Sequence, residues 1–184
     1  MNMFDKDGIS AIAILTELAL TVYSAGSTLR QHLQGLYDRY GEFVSNNGYF
    51  VVPDMSIVPV ILNRITQDGR LEELLENGVG TYAVESIRYL GDPGGYDSCS
   101  TRLDKKPVLP CSKSSPLLTI RFKNGCVLHL RASGTEPKFK YYLELFGQPG
   151  TASRQQVADS LHTQSKIVLE TLLEPEKNGL SKRG

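Results

Sequence analysis

The residues best suited to chemistry form one short run, from Arg131 to Pro137, between two predicted strands. Arg131 carries a planar guanidinium whose N–H donors match the oxygens of a phosphate group. Ser133 and Thr135 add hydroxyl donors, and Gly134 permits the positive φ at which successive backbone N–H groups point into one concavity. The run therefore predicts a nest for a phosphate group. A solvated, glycine-containing turn is the other interpretation that these residues allow.

Charged side chains flank this run. Lys138 and Lys140 alternate onto one face of the outgoing strand and would raise the local positive potential. Glu136 is not expected to bind phosphate because its carboxylate would repel the anion, and we expect it to point away and bond neighbouring backbone. His129 shares a strand face with Arg131. It either assists in binding phosphate or is a partly exposed strand histidine without a role.

The elements that hold the run are predicted from hydrophobic periodicity. Apolar and polar residues alternate over 118–122, 126–131 and 138–145, which predicts three strands, and Asn124-Gly125 predicts a hairpin turn between the first two. Earlier strands are expected at 48–52 and 81–90, with one or two helices between them. A helix over about 152–173 would cover one face of the sheet, and the final residues, ending in Lys182-Arg183-Gly184, are expected to form a loose tail. We predict an α+β domain over residues 46–184.

Residues 1–45 are predicted to form two helices that belong to another unit. The first, Ile9 to Ala25, is mostly apolar, but Asp5, Asp7 and Glu17 argue against a signal peptide or a membrane span. We therefore expect a buried helix, no membrane association and a cytoplasmic location. The helix is apolar nearly all round and little in this segment can cover it, which predicts that upstream domains are missing.

Composition excludes several classes of partner and site. Twenty basic residues balance twenty acidic ones, so we expect no broad basic surface and no nucleic-acid partner. Cys99, Cys111 and Cys126 are odd in number and widely spaced, which is typical of reduced thiols. Neither they nor the three histidines have the spacing of metal ligands, so no metal site is expected.

A long loop precedes the three strands. Residues 92–115 are rich in Gly, Pro, Ser and Lys, and a structureless stretch of this length is more often functional or flexible than incidental. Lys105, Lys106 and Lys113 could reach a ligand from this loop. A solvated basic loop is the alternative.

Several stretches of the sequence resemble those of a known family. RASGTEPKFK at 131–140 resembles the phosphate-binding loop in the fourth and last domain of the α-D-phosphohexomutase superfamily, and DKDGISA at 5–11 resembles a helix start late in the third domain. GYD at 95–97 and DKKPVLPCSKSS at 104–115 are similar to the phosphoglucomutase-2 branch, which includes phosphopentomutases and glucose 1,6-bisphosphate synthase. NGC at 124–126 and KNGL at 177–180 lean toward the synthase. The resemblance covers nearly the whole chain.

The resemblance implies a fold and a set of ligand contacts. Residues 46–184 would be the C-terminal phosphohexomutase domain, a TBP-like antiparallel sheet covered by helices, and residues 1–45 the helical tail of the third domain. Arg131, Ser133, Gly134 and Thr135 would clamp the phosphate group that is not transferred, with Lys140 as a weaker candidate. The implied ligands are hexose or pentose phosphates and glucose 1,6-bisphosphate.

The sequence departs from the family by lacking its reacting parts. In the family a first-domain serine carries a phosphoryl group, a second-domain DGDxDR loop holds Mg²⁺, and a third-domain loop grips the sugar. None of these patterns occurs here, so we expect no catalytic residue, metal ligand or cofactor in this chain, and no catalysis from it alone. Mg²⁺ is implied for the full-length enzyme.

Several functions remain compatible with the sequence. The chain would be the C-terminal portion of a phosphosugar mutase or, alternatively, of glucose 1,6-bisphosphate synthase, acting on hexose or pentose phosphates. A free-standing phosphosugar-binding or regulatory module is another alternative. A third is an interaction module that docks on the full-length enzyme through its N-terminal helix.

Overall fold

The computed structural model of the protein describes residues 7–133 and 136–183, which form an α+β fold, as predicted. The helices are α1 (Gly8–Ser24), α2 (Leu29–Tyr40), α3 (Ile57–Thr66), α4 (Arg70–Asn77) and α5 (Arg154–Leu173). The strands are β1 (Glu42–Val51), β2 (Val84–Tyr89), β3 (Tyr96–Asp97), β4 (Leu117–Phe122), β5 (Val127–Ala132), β6 (Lys138–Gly147) and β7 (Ser181–Arg183).

The strands form one sheet in the order β3-β2-β4-β5-β6-β1-β7, with antiparallel pairing between neighbours. The predicted hairpin between β4 and β5 is confirmed. Gly125 adopts a φ of 86°, where a side chain would be strained, and Asn124 Oδ1 accepts a hydrogen bond from the Cys126 N–H at 3.1 Å. This turn sets the register that brings the start of β4 beside the end of β5.

One face of the sheet is covered by helices and the other is open. Alternate residues of β4, β5 and β6 join α3, α4 and α5 in a single core. Leu128, Leu130 and Phe139 are fully buried in it, whereas His129 and Arg131 lie on the opposite face. The predicted alternation is therefore confirmed for the strands on both sides of the 131–137 run. Burial of this many apolar side chains makes these strands a rigid support.

Strand β1 begins earlier than the sequence predicts. Its pairing with β6 starts at Glu42 opposite Gly147, and Glu42 also pairs with Arg154 of α5 at 3.2 Å. The expected start at residue 48 was wrong because the segment from Ser45 to Asn47 is polar and depends on pairing with β6 rather than on its own hydrophobic pattern. The boundary predicted between residues 45 and 46 lies inside this strand.

The chain end is also more ordered than predicted. Ser181 to Arg183 form β7, which pairs with residues 49–51 of β1 at the edge of the sheet. The expectation of a loose tail is therefore wrong for residues 181–183. Such a short strand has no hydrophobic alternation of its own, so its pairing with β1 defines it.

The two helices predicted within residues 1–45 are confirmed, but α1 is not buried in this chain. The Asp7 side chain caps α1 by accepting from the Ile9 N–H, and Thr28 forms a capping box with Gln31 at the start of α2. Of the residues of α1 only Val22 is buried, while Ile9 is 83% exposed and Leu20 63% exposed. The expected burial of α1 therefore requires a surface from outside the described residues.

Within the part of the chain that the structure describes, no single helix combines the length and apolar character needed to cross a membrane. Among residues 7–133 and 136–183, one pair of helices, α1 and α2, satisfies both conditions when taken together, and these two helices meet at a bend of 93°.

Candidate functional site

Two cations stand side by side where β5 and β6 meet the 131–137 run. Arg131 of β5 lies directly opposite Lys140 of β6 in the antiparallel register, and both are on the open face of the sheet. Directly opposite residues have Cβ atoms about 4.5–5.5 Å apart, so one anion can reach both side chains. Among the described residues, no carboxylate forms an ion pair with Arg131. The guanidinium is exposed and its donors are available for a ligand.

The ends of the run are fixed by backbone hydrogen bonds. The Ser133 N–H donates to the Lys138 carbonyl at 2.9 Å, and the Val52 N–H donates to the Pro137 carbonyl at 2.9 Å. Ser133 is only 6% exposed. Gly134 and Thr135, the predicted centre of the anion nest, lie outside the described residues, so their roles stay predictions.

Glu136 takes a different partner from the one expected. Its carboxylate accepts from Lys138 Nζ at 2.6 Å and lies 3.9 Å from Lys140 Nζ, so the expectation that it would bond backbone is wrong. The hydrogen bond from Lys138 holds the pKa of Glu136 below its usual value and raises the pKa of Lys138. Lys138 also lies 4.6 Å from the Tyr49 ring centroid. Lys138 thus donates to Glu136 and lies over the Tyr49 ring, whereas Lys140 makes only a longer ion pair with Glu136.

His129 lies on the same face as Arg131, as predicted, but it contributes little charge. Its Nδ1 lies 2.9 Å from the Thr119 hydroxyl, and burial lowers its pKa, helped by the nearby Arg121 cation. The imidazole is therefore neutral near pH 7 and adds no positive potential. It lines two neighbouring cavities of about 440 and 450 Å³ on the open face, both shared with Arg121.

Ser133 faces a separate cavity of about 430 Å³ at the end of the sheet. The long loop contributes Ser112, Lys113 and Ser114 to its lining, and α3 contributes apolar side chains such as Val58 and Leu62. From the sequence alone, Lys113 is either a ligand contact or part of a solvated basic loop. The signal that could have placed it is the strand register, because residues 112–116 lead directly into the strand paired with Arg131.

The described residues hold no group of three or more His, Cys, Asp or Glu side chains arranged to bind a metal ion. What this site can do chemically is bind an anion. Arg131 and Lys140 supply positive charge, and Ser133 supplies a hydroxyl.

Comparison with known proteins supports the resemblance. The chain is 36% identical over 179 residues to the glucose 1,6-bisphosphate synthase of Homo sapiens and 35% identical over 179 residues to the phosphopentomutase of Homo sapiens. Both alignments cover 97% of this chain and 28% of the relative. The predicted resemblance to this branch is confirmed. The phosphoribomutase of Saccharomyces cerevisiae is 31% identical over 153 residues, covering 76% of this chain and 24% of that protein.

This chain spans about 28% of the length of the synthase and phosphopentomutase relatives. No family model matches the chain. The similarity extends across the sheet, its covering helices and the two N-terminal helices, because it covers 97% of the chain. It therefore includes the Arg131 strand and the long loop beside it.

Proposed function

We propose that this chain is the C-terminal, phosphate-binding portion of a phosphosugar mutase or of a glucose 1,6-bisphosphate synthase. The observation that carries the proposal is the cross-strand pair of Arg131 and Lys140 beside the 131–137 run. Two cations opposite each other repel in the absence of a ligand, and an anion between them removes that cost. The sheet with its covering helices would be the C-terminal phosphohexomutase domain of the longer protein.

In this proposal the site holds the phosphate group that does not react. Arg131 donates two parallel hydrogen bonds to phosphate oxygens, and Lys140 supplies a second positive charge. Ser133, Gly134 and Thr135 complete the clamp with hydroxyl and backbone donors. The ligand is a hexose or pentose phosphate, or glucose 1,6-bisphosphate. The contribution of this chain is to bind and orient the sugar phosphate rather than to transfer its phosphoryl group.

The reacting groups would lie in upstream domains of a cytoplasmic enzyme. We assign no magnesium ligand to this chain, because the DGDxDR pattern of the family's metal loop does not occur in its sequence. When bound in the full-length enzyme, Mg²⁺ would neutralise charge on the transferring phosphoryl group. We therefore expect the chain alone to bind phosphosugars without converting them.

One observation favours an additional role in contacting another polypeptide. Helix α1 exposes most of its large apolar side chains, a surface that soluble proteins normally cover. The alternatives of a free-standing phosphosugar-binding module and of a module that docks on the full-length enzyme both retain the Arg131 site. They differ from the main proposal in what covers α1.

Isothermal titration calorimetry of the full chain tests the binding site. Glucose 1,6-bisphosphate and ribose 5-phosphate are titrated into the wild-type chain, R131A and R121A. Loss of the charge-assisted contacts of Arg131 is expected to cost about 2–3 kcal/mol, or about 30- to 160-fold in Kd.

Arg121 is the matched control because it is also an exposed arginine on the open face. It lies four residues after Leu117, which is the residue of β4 opposite Arg131. Arg121 is therefore about 13 Å farther along the strand than Leu117. R121A is expected to bind like the wild-type chain. Equal affinities of R131A and the wild type would contradict the proposed site.

A further inference from the structure

The cavity beside Ser133 has two walls that come from distant parts of the sequence. In the antiparallel register Leu117 of β4 is opposite Arg131 of β5, so the residues before Leu117 run alongside the residues after Arg131. Ser112, Lys113 and Ser114 thereby line the 430 Å³ cavity together with Ser133. Residues 112–114 of the long loop and Ser133 at the start of the run therefore line one space.

The segment that carries Lys113 is held in place on both sides. The Ser112 N–H donates to the Leu90 carbonyl at 3.1 Å, and the Leu90 N–H donates to the Leu117 carbonyl at 2.9 Å. Between these two anchors the Ser115 N–H donates to Ser112 Oγ at 3.1 Å, which closes a turn around Lys113. Lys113 therefore sits on a fixed turn at the cavity rather than on a free loop tip.

The lining suits a ligand with both an anionic group and hydroxyl groups. Lys113 and the hydroxyls of Ser112 and Ser114 offer donors, while Val58 and Leu62 of α3 form an apolar wall. Asp92 also lines the cavity and can accept from a ligand hydroxyl. No ion pair joins Lys113 to a carboxylate among residues 7–133 and 136–183.

We propose that Lys113 is a further binding residue for the phosphosugar, donating from the long loop to an anionic oxygen of the ligand in the cavity that Ser133 also lines. The inference rests on the proposed function, because it takes the same ligand. It extends the site from one loop to two, so that the ligand is contacted from the loop before β4 and from the run after β5. The volume of the cavity is within the range of small-molecule sites.

The test compares lysine variants of the full chain by calorimetric titration with glucose 1,6-bisphosphate. K113A is expected to raise Kd about five- to tenfold, and K113E to raise it further because it places a like charge beside the ligand. K113R is expected to retain most of the affinity. The matched control is K123A. Lys123 is exposed and follows the last residue of β4, about 20 Å along the strand from Leu117 at its start.

The outcomes separate this inference from the proposed function. Weaker binding by K113A and K113E, with K123A unchanged and with the melting temperature of the ligand-free variants unchanged, supports it. If R131A weakens binding but K113A and K113E bind like the wild type, the role of Lys113 is overturned and the Arg131 site stands. If the wild-type chain does not bind, or R131A binds equally well, the proposed function fails and this inference fails with it.

Discussion

Replacement of Arg131 by glutamine should raise the stability of the ligand-free chain while it weakens ligand binding. Arg131 lies opposite Lys140 and has no carboxylate partner among the described residues. R131Q therefore removes a like-charge repulsion without breaking an ion pair. Cross-strand charge pairs contribute about 0.2–1 kcal/mol, and exposure of Arg131 puts the expected gain near the lower end, at about 0.2–0.5 kcal/mol.

Binding should change in the opposite direction and by more. The loss of a bidentate, charge-assisted contact with phosphate is expected to cost about 2 kcal/mol, which is about 30-fold in Kd. Replacing a residue that only supports the fold would not weaken ligand binding and stabilise the ligand-free protein at the same time. Replacing a binding-site residue that is held beside a like charge is expected to have both effects.

Urea denaturation without phosphate measures the first effect, and calorimetric titration with glucose 1,6-bisphosphate measures the second. The stability gain should vanish in about 1 M NaCl, where the screening length falls to about 3 Å. R121Q is the control, because Arg121 is opposite Val127 and Ser86, neither of which is charged. A less stable R131Q with unchanged affinity would show that Arg131 neither repels Lys140 nor binds the ligand.

Three further results are expected. Cys126 is buried with its thiol pKa raised to about 12, so a thiol reagent should modify the exposed Cys99 and Cys111 in the native chain and Cys126 only after unfolding. Burial lowers the pKa of His129, so the unfolded chain binds its proton more tightly; stability should fall as pH drops through about 6.5, and H129Q should reduce that loss in denaturation experiments. A chain lacking residues 1–40 should sediment as a folded monomer, whereas the full chain should self-associate through α1.

The strands around the site could be predicted because the patterns that indicate them lie in residues close together in the sequence. Alternating apolar and polar residues in β4, β5 and β6 place Leu128 and Leu130 in the core and Arg131 outside it. The turn residues at 124 and 125 mark the hairpin that pairs β4 with β5. Each of these features depends on residues adjacent in sequence.

The missed elements depend on pairing between distant residues. The polar start of β1 is a strand because it pairs with β6, and β7 is a strand because it pairs with the other edge of β1. Neither segment carries an alternating pattern. The sequence order also does not indicate that β1 lies between β6 and β7.

Charge pairing at the site was equally hard to predict. Glu136 was expected to bond backbone, but Lys138 lies two residues away and supplies a closer and stronger partner. This pair leaves Arg131 and Lys140 as the cations with most capacity for a ligand. Lys113 was hard to place because the loop before it is long, and only the register at Leu117 brings it to the cavity.

The most direct test of the central claim is an amide NMR titration of the full, ¹⁵N-labelled chain with glucose 1,6-bisphosphate. We expect saturable shifts that are largest for backbone amides at 131–140, except the proline, and that are lost in R131A but kept in R121A. Absence of saturable shifts, or shifts confined to residues around Arg121 and unaffected by R131A, would contradict the claim.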